Sequence, residues 1–227
     1  MTTTLAFDVY GTLINTHGVV AALEKLVGAK AQAFSNTWRD KQLEYSFRKA
    51  LMQNYATFAV CTSQALDYTC SYHGTNLNAE QKHELLSLYR ILPAFADVKA
   101  GLVQLKAAGF RLYAFSNGAA DALEMLLSNA GIRDLFLGVI SVDDIKSFKP
   151  NPGVYSHFLR QSQATGGSAW LISSNPFDVL GALSAGMKSA WVQRSPDAIF
   201  DPWGIEPTIT VTSLTALKEA ITQHEQR

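Results

Sequence analysis

Past residue 110 the chain alternates short apolar runs with longer amphipathic stretches, and that rhythm settles the fold class. Arg111–Ser116, Phe136–Ser141, Ala169–Ser174, Ser189–Val192 and Thr208–Val211 read as strands. Ala119–Ala130, Pro152–Gln163, Pro176–Ala185 and Leu214–Gln223 read as the helices between and after them. Gly131 and Gly186 stand at helix ends, where a left-handed residue closes the last turn, and Ser213 is placed as an N-cap. Strands alternating with helices of this length imply a parallel sheet covered on both faces.

One further apolar run, Leu5–Val9, stands alone at the start and ends in Asp8-Val9-Tyr10-Gly11-Thr12. An apolar run followed by a glycine turn reads as a buried parallel strand. From about Asn15 to Pro93 the apolar spacing is helical instead, over Val19–Val27, Ala33–Tyr55, Cys61–His73 and Ala79–Ile91. Asn78 and Gln81 form the pattern of a capping box for the last of these. The first strand belongs with the later ones, so the helical region between them is an insert. The expected fold is α/β: a Rossmann-like parallel sheet core (residues 1–14 and 94–227) with an inserted helical cap subdomain (residues 15–93) over the sheet.

Hydrophobic residues make up 48% and charged residues 17%, enough to bury a substantial core and too apolar for a disordered chain. Lys plus Arg number 19 and Asp plus Glu 19, with no basic run, so no nucleic-acid partner is expected. No apolar run reaches the roughly 18 residues of a membrane helix, and no membrane association is expected. The first residues lack the charged and apolar regions of a signal peptide, which points to a cytoplasmic protein. Cys61 and Cys70 fall on opposite faces of one helix and are expected to be buried, reduced thiols. His17, His73, His83, His157 and His224 are scattered and read as surface or packing residues rather than ligands.

Ligands of open parallel sheets bind beyond the carboxyl ends of the strands. The polar residues there are Asp8 and Tyr10, Ser116 and Asn117, Lys149 in the loop after the third strand, and Ser173, Ser174, Asn175 and Asp178. Singly, each has an ordinary explanation: a turn aspartate, a surface lysine, an N-cap, an acid stabilised by a helix dipole. Together they place a carboxylate able to act as a nucleophile, a cation able to keep it ionised, and a helix N-terminus able to bind an anion on one edge.

Phe7-Asp8-Val9-Tyr10-Gly11-Thr12-Leu13, Ser116-Asn117-Gly118, Lys149-Pro150 and Ser173-Ser174-Asn175-Pro176-Phe177-Asp178, in this order, resemble the haloacid dehalogenase superfamily. Within it the chain is most similar to the L-2-haloacid dehalogenases of type II, over nearly its whole length and including Trp38-Arg39-Asp40-Lys41-Gln42-Leu43-Glu44-Tyr45. The resemblance implies that Asp8 attacks C2 of a small 2-haloacid from behind the halogen, inverts the centre and forms an ester. It implies that Lys149 and Ser173 hold Asp8, that Asp178 and Asn175 position and activate water, and that the Ser116-Asn117 helix start takes the substrate carboxylate. Arg39, with Asn117, is implied in drawing off the halide. Thr12 and Tyr155 match supporting positions, Tyr155 also facing substrate. Tyr10, Leu43, Phe58 and Phe177 are implied as the apolar wall. Phe177 stands where many family members carry tryptophan, and a smaller ring there enlarges the pocket. Family members are commonly homodimers, so a homodimer is expected.

The superfamily's phosphatases carry a second aspartate two positions after the nucleophile, and here that position is Tyr10. Mg²⁺ demands hard anionic oxygens in octahedral geometry, whereas this set offers mainly Asp8 and Asp178 beside a competing Lys149. No metal and no other cofactor is expected. The alternative readings are a Mg²⁺-dependent phosphatase of small metabolites, which EDTA would abolish, and a catalytically silent binding protein on the same fold.

Overall fold

The computed structural model describes residues 2–226. The sheet has six parallel strands: β1 (Thr4–Phe7), β2 (Arg111–Ser116), β3 (Gly138–Ser141), β4 (Ala169–Ser173), β5 (Lys188–Val192) and β6 (Ile209–Val211), in the order β3-β2-β1-β4-β5-β6. β1 is central, with Phe7 opposite Ala114 of β2 and Ile172 of β4. Successive side chains of a strand point to opposite faces. Leu5 and Phe7 join the larger core, against α5 (Val98–Ala107), α6 (Ala120–Asn129) and α9 (Leu217–Glu225). Ala6 joins the other core with α7 (Pro152–Ser162) and α8 (Pro176–Ser184). The strand order reverses between β1 and β4, the switch point where open sheets leave a crevice at their carboxyl ends.

Between β1 and α5 lie α1 (Val20–Val27), α2 (Ala31–Leu51), α3 (Phe58–His73) and α4 (Ala79–Leu88). Phe34, Trp38, Ala65, Leu85 and Tyr89 are buried among them, and the Trp38 indole donates to the Thr62 carbonyl at 2.9 Å. The chain leaves and rejoins the core through paired segments. Asn15 N donates to Pro93 O at 2.8 Å, and Phe95 N to Leu13 O at 3.0 Å. Arg194 spans both: it donates to the Thr12 carbonyl at 2.6 Å, pairs with both Asp97 oxygens at 2.8 Å and lies 4.3 Å over the Phe95 ring.

Several elements differ from the sequence reading. α5 was not singled out there; its Gly101 interrupts the apolar pattern because a Cβ would come within 2.7 Å of Leu214. α2 stops at Leu51 rather than reaching Tyr55, since Gln53 takes a left-handed φ of 53°. The expected 208–211 and 136–141 strands begin later, at Ile209 and Gly138. Ser213 makes no side-chain cap; a 3-10 turn intervenes before α9, and Leu214 N donates instead to Asp97 at 2.7 Å. The Asn78–Gln81 capping box is present. Cys61 and Cys70 are buried and unpaired. No helix among the described residues is long and apolar enough to cross a membrane.

Candidate active site

Asp8 follows the last residue of β1, and its backbone N–H still donates to Ile172 at 3.0 Å, so the carboxylate sits rigidly at the switch point. The turn beyond it needs Gly11, whose φ is 86°, to bring Leu13 and Ile14 N–H back to the Val9 carbonyl at 3.0 and 2.9 Å. That turn delivers the Thr12 hydroxyl to Asp8 Oδ2 at 2.9 Å. From the end of β4 the Ser173 hydroxyl reaches the same oxygen at 3.2 Å, and Asn175 Nδ2 reaches it at 2.7 Å. Oδ2 therefore accepts from three neutral donors. Oδ1 accepts from Lys149 Nζ alone, at 3.2 Å.

Lys149 is 1% exposed, and each of its three N–H bonds is used: on Asp8 Oδ1, on the Phe115 carbonyl at 2.9 Å and on Asp178 Oδ2 at 2.8 Å. Burial alone would lower its pKa, but the carboxylates of Asp178 and Asp8 outweigh that and raise it, so the ammonium stays charged. Asp178 is fully buried, and the Tyr155 hydroxyl donates to its Oδ1 at 2.8 Å. Burial pushes the Asp178 carboxyl up to about 6, with Lys149 and Tyr155 pulling down and Asp8 pushing up. Gly181 makes the Tyr155 contact possible, since a Cβ there would come within 2.9 Å of Tyr155 Cε2 and 2.7 Å of Pro150 Cβ.

A narrow cleft opens above Asp8. Tyr10, Ser116, Asn117, Asn175 and Phe177 line it from the core, and Arg39, Leu43 and Phe58 from the helical insert. Its free volume is about 10 Å³, room for roughly one water centre. Arg39 donates to the Tyr10 carbonyl at 3.5 Å and to Gln42 Oε1 at 3.4 Å, both neutral oxygens, so its charge has no counter-ion among the described residues. Asn117 Oδ1 accepts from Lys149 N at 3.0 Å, which leaves the amide nitrogen for the cleft. Burial pushes the Tyr10 phenol up to about 12, which keeps this wall uncharged.

Every residue singled out from the sequence thus lies in one of two tiers. Asp8 joins them: the cleft residues stand above it, and Thr12, Lys149, Ser173, Asp178 and Tyr155 stand beneath or beside it. Tyr155 does not line the cleft; its hydroxyl serves Asp178. Sequence reasoning gave no role to Gln42, which is fully buried and donates to the Tyr89 hydroxyl at 2.7 Å, nor to Ser174, whose N–H holds Thr12 Oγ1 at 2.8 Å. It also passed over Arg194 and Gly181, although a glycine inside a helix is a legible sign of close approach.

The haloacid dehalogenase-like hydrolase family matches residues 2–186. The chain belongs to that family. It is 36% identical to the (S)-2-haloacid dehalogenase of Pseudomonas sp. (strain YL), over 95% of this chain and 92% of that protein. The L-2-haloacid dehalogenase from Xanthobacter autotrophicus superposes with a TM-score of 0.89 at 31% identity, covering 98% of this chain and 99% of that one. A second structure of that enzyme, with chloropropionic acid covalently bound, matches with the same TM-score of 0.89. In this hydrolase Lys149 Nζ already bridges the two carboxylates, so a divalent cation there would share them with a fixed positive charge. Among the described residues no three His, Cys, Asp or Glu side chains cluster. The donor set does not fit a Mg²⁺ site.

Proposed function

We infer that this protein is an (S)-2-haloacid dehalogenase, which hydrolyses short 2-haloalkanoic acids to (R)-2-hydroxyacids through an ester on Asp8. The observation that carries this is the asymmetry of the Asp8 carboxylate: Oδ2 is saturated by Thr12, Ser173 and Asn175, while Oδ1 keeps a lone pair beside Lys149. Oδ1 attacks C2 along the axis opposite the halogen, the C–O bond forms as the carbon–halogen bond breaks, and the halide leaves towards Arg39. Backside displacement inverts C2, so an S acid gives an R product. The substrate carboxylate sits at the Ser116–Asn117 turn and the start of α6.

The three donors then change role. Once Oδ1 carries the ester bond, Oδ2 is its carbonyl oxygen, and Thr12, Ser173 and Asn175 already form a preorganised oxyanion hole for the attack of water. Esterification also removes the Asp8 charge that raises Asp178, so Asp178 is more fully ionised and free to take the water proton. With Asn175 it is assigned the water. The proton passes to the departing hydroxyl oxygen, and Asp8 is regenerated.

The names of the relatives support this substrate class. The residue at position 10 is tyrosine, and Lys149 stands between the two carboxylates, so the phosphatase alternative is not favoured. The paired segments at residues 13–15 and 93–95 support residues 15–93 as the cap and 1–14 with 94–227 as the core. A cytoplasmic homodimer, taking only the 2-haloacid and releasing halide, completes the reading.

The test is halide release from (S)- and (R)-2-chloropropionate in EDTA, with Asp8→Asn alongside. Release from the S isomer alone, giving R-lactate and lost in the variant, is expected. Turnover only of a phosphate ester, restored by Mg²⁺, would overturn the assignment.

A further inference from the structure

The cleft above Asp8 is too small for the whole of a longer substrate, yet a second cavity adjoins it. This chamber, of about 420 Å³, lies between α3, α4 and the start of α6, within the roughly 300–1,000 Å³ of small-molecule sites. Tyr10 and Phe58 line both spaces, with ring centroids 6.0 Å apart and planes tilted by 34°. The partition is therefore two aromatic rings. Beyond it the lining is mixed: Ala59, Leu86 and Ala122 are apolar, Thr62, His83 and Ser87 are polar, and the exposed Arg90 and Asp121 also border the space.

The axis of displacement limits which substituents can face this partition. Asp8 Oδ1 and the halogen take the two ends of the reaction axis, and the carboxylate takes the Ser116–Asn117 side. Of the remaining groups on C2, hydrogen needs no space, and the alkyl chain is left to the apolar lining, of which Tyr10 and Phe58 alone border the larger space. We propose that the chamber behind Tyr10 and Phe58 receives the carbon tail of the substrate, making this enzyme selective for 2-haloacids longer than chloropropionate. The proposal rests on the dehalogenase reading and extends it to chain length. The two rings shift apart to admit the tail, and methylenes leave water for the surface of Leu86 and the two alanines. Each methylene so buried contributes about a fourfold gain in kcat/KM.

The test compares (S)-2-chloropropionate, (S)-2-chlorobutanoate and (S)-2-chlorohexanoate on the wild type and on Ala59→Trp and Ala122→Trp. Ala59 is exposed in the first turn of α3 and Ala122 half-buried in the first turn of α6, and both line the chamber, so an indole at either position narrows it from a different element. The wild type is expected to gain about fourfold in kcat/KM per added methylene. The hexanoate-to-propionate ratio is expected to fall about tenfold in both variants. A wild type that rejects hexanoate, or a ratio unchanged in both variants, overturns the chamber proposal and leaves the dehalogenase reading standing. Absence of halide from all three acids overturns the reading beneath it as well.

Discussion

Removing the Tyr155 hydroxyl isolates how the buried charges around Asp8 are balanced. That hydroxyl donates to Asp178 Oδ1 at 2.8 Å, and Lys149 donates to the other oxygen at 2.8 Å. Burial raises the Asp178 carboxyl to about 6, against the pull of Lys149 and of Tyr155 itself. A hydrogen bond to a charged group contributes about 1.5–3 kcal/mol, and one pH unit corresponds to about 1.4 kcal/mol. Part of that bond survives with the protonated acid, so Tyr155→Phe is expected to raise the Asp178 pKa by about one unit. The assay is kcat for (S)-2-chloropropionate from pH 4 to 9, because Asp178 acts on the ester after the carbon–halogen bond has broken, a step that kcat/KM does not report. The wild type is expected to lose activity on an acid limb below about 6, since the ester no longer carries the Asp8 charge that raises Asp178, and the variant's limb is expected about one unit higher. Stability follows the same linkage. The folded-state pKa lies above the unfolded value of about 3.9, so folding is favoured where Asp178 is protonated, and that advantage is lost as pH rises through about 6. Tyr155→Phe therefore destabilises more at pH 8 than at pH 5. A wild-type profile flat down to pH 4, or an acid limb at the same pH in both proteins, would refute this account of Asp178.

Other substitutions probe the remaining parts of the site. Gly181→Ala would add about 1 kcal/mol of helix propensity, but its Cβ meets Tyr155 Cε2 at 2.9 Å and Pro150 at 2.7 Å; a lower Tm and an acid limb displaced as in Tyr155→Phe are expected, and a stabilised variant with a normal pH profile counts against the contact. Thr12→Val removes the 2.9 Å donor to Asp8 Oδ2; steady-state kcat should fall about a hundredfold with ester accumulating by mass spectrometry, and a slower halide burst without trapped ester would move Thr12 to the first step. Arg194→Gln strips Asp97 of a guanidinium nitrogen that reaches both its oxygens at 2.8 Å and frees the Thr12 carbonyl; urea unfolding should report a loss of about 2 kcal/mol, and a loss below about 0.5 kcal/mol, as for an exposed pair, would show that it does not hold the two paired segments together.

The sheet was legible because its strands are buried on both faces and read as continuous apolar runs; β2 was bounded correctly at Arg111 and Ser116. α5 was not, because the glycine that lets it approach Leu214 also breaks its amphipathic pattern. The acids and lysine of the site could be placed on one edge because parallel topology forces the strand ends together, whatever lies between them. The contacts that hold them could not be read in the same way. Gln42 meets Tyr89 across 47 residues, Tyr155 meets Asp178 across 23, and Arg194 meets Asp97 across 97. Such pairs carry no local periodicity, and only the packed helices bring them into reach. Local signals failed where tertiary ones took over, as at Ser213, whose expected capping role is served by Asp97.

The charges of the site indicate why a 2-haloacid suits it better than a phosphate ester. Asp8 and Asp178 are acids, Lys149 is a cation with no N–H to spare, and Arg39 is a cation whose hydrogen bonds go to neutral oxygens. With both acids ionised these four groups sum to zero. A haloacid brings one negative charge, which the start of α6 can hold, and the only charge that grows during attack is on the departing halide, beside Arg39. Asp8 loses its charge in the same step, so the pocket never carries more negative charge than it began with. A phosphate monoester would bring two negative charges into the space above Asp8, and Lys149 is locked below, unable to turn towards them. Its replacement by a divalent cation would break hydrogen bonds to Asp8, Phe115 and Asp178 at once. The charges of the site thus suit a substrate that brings one negative charge rather than two.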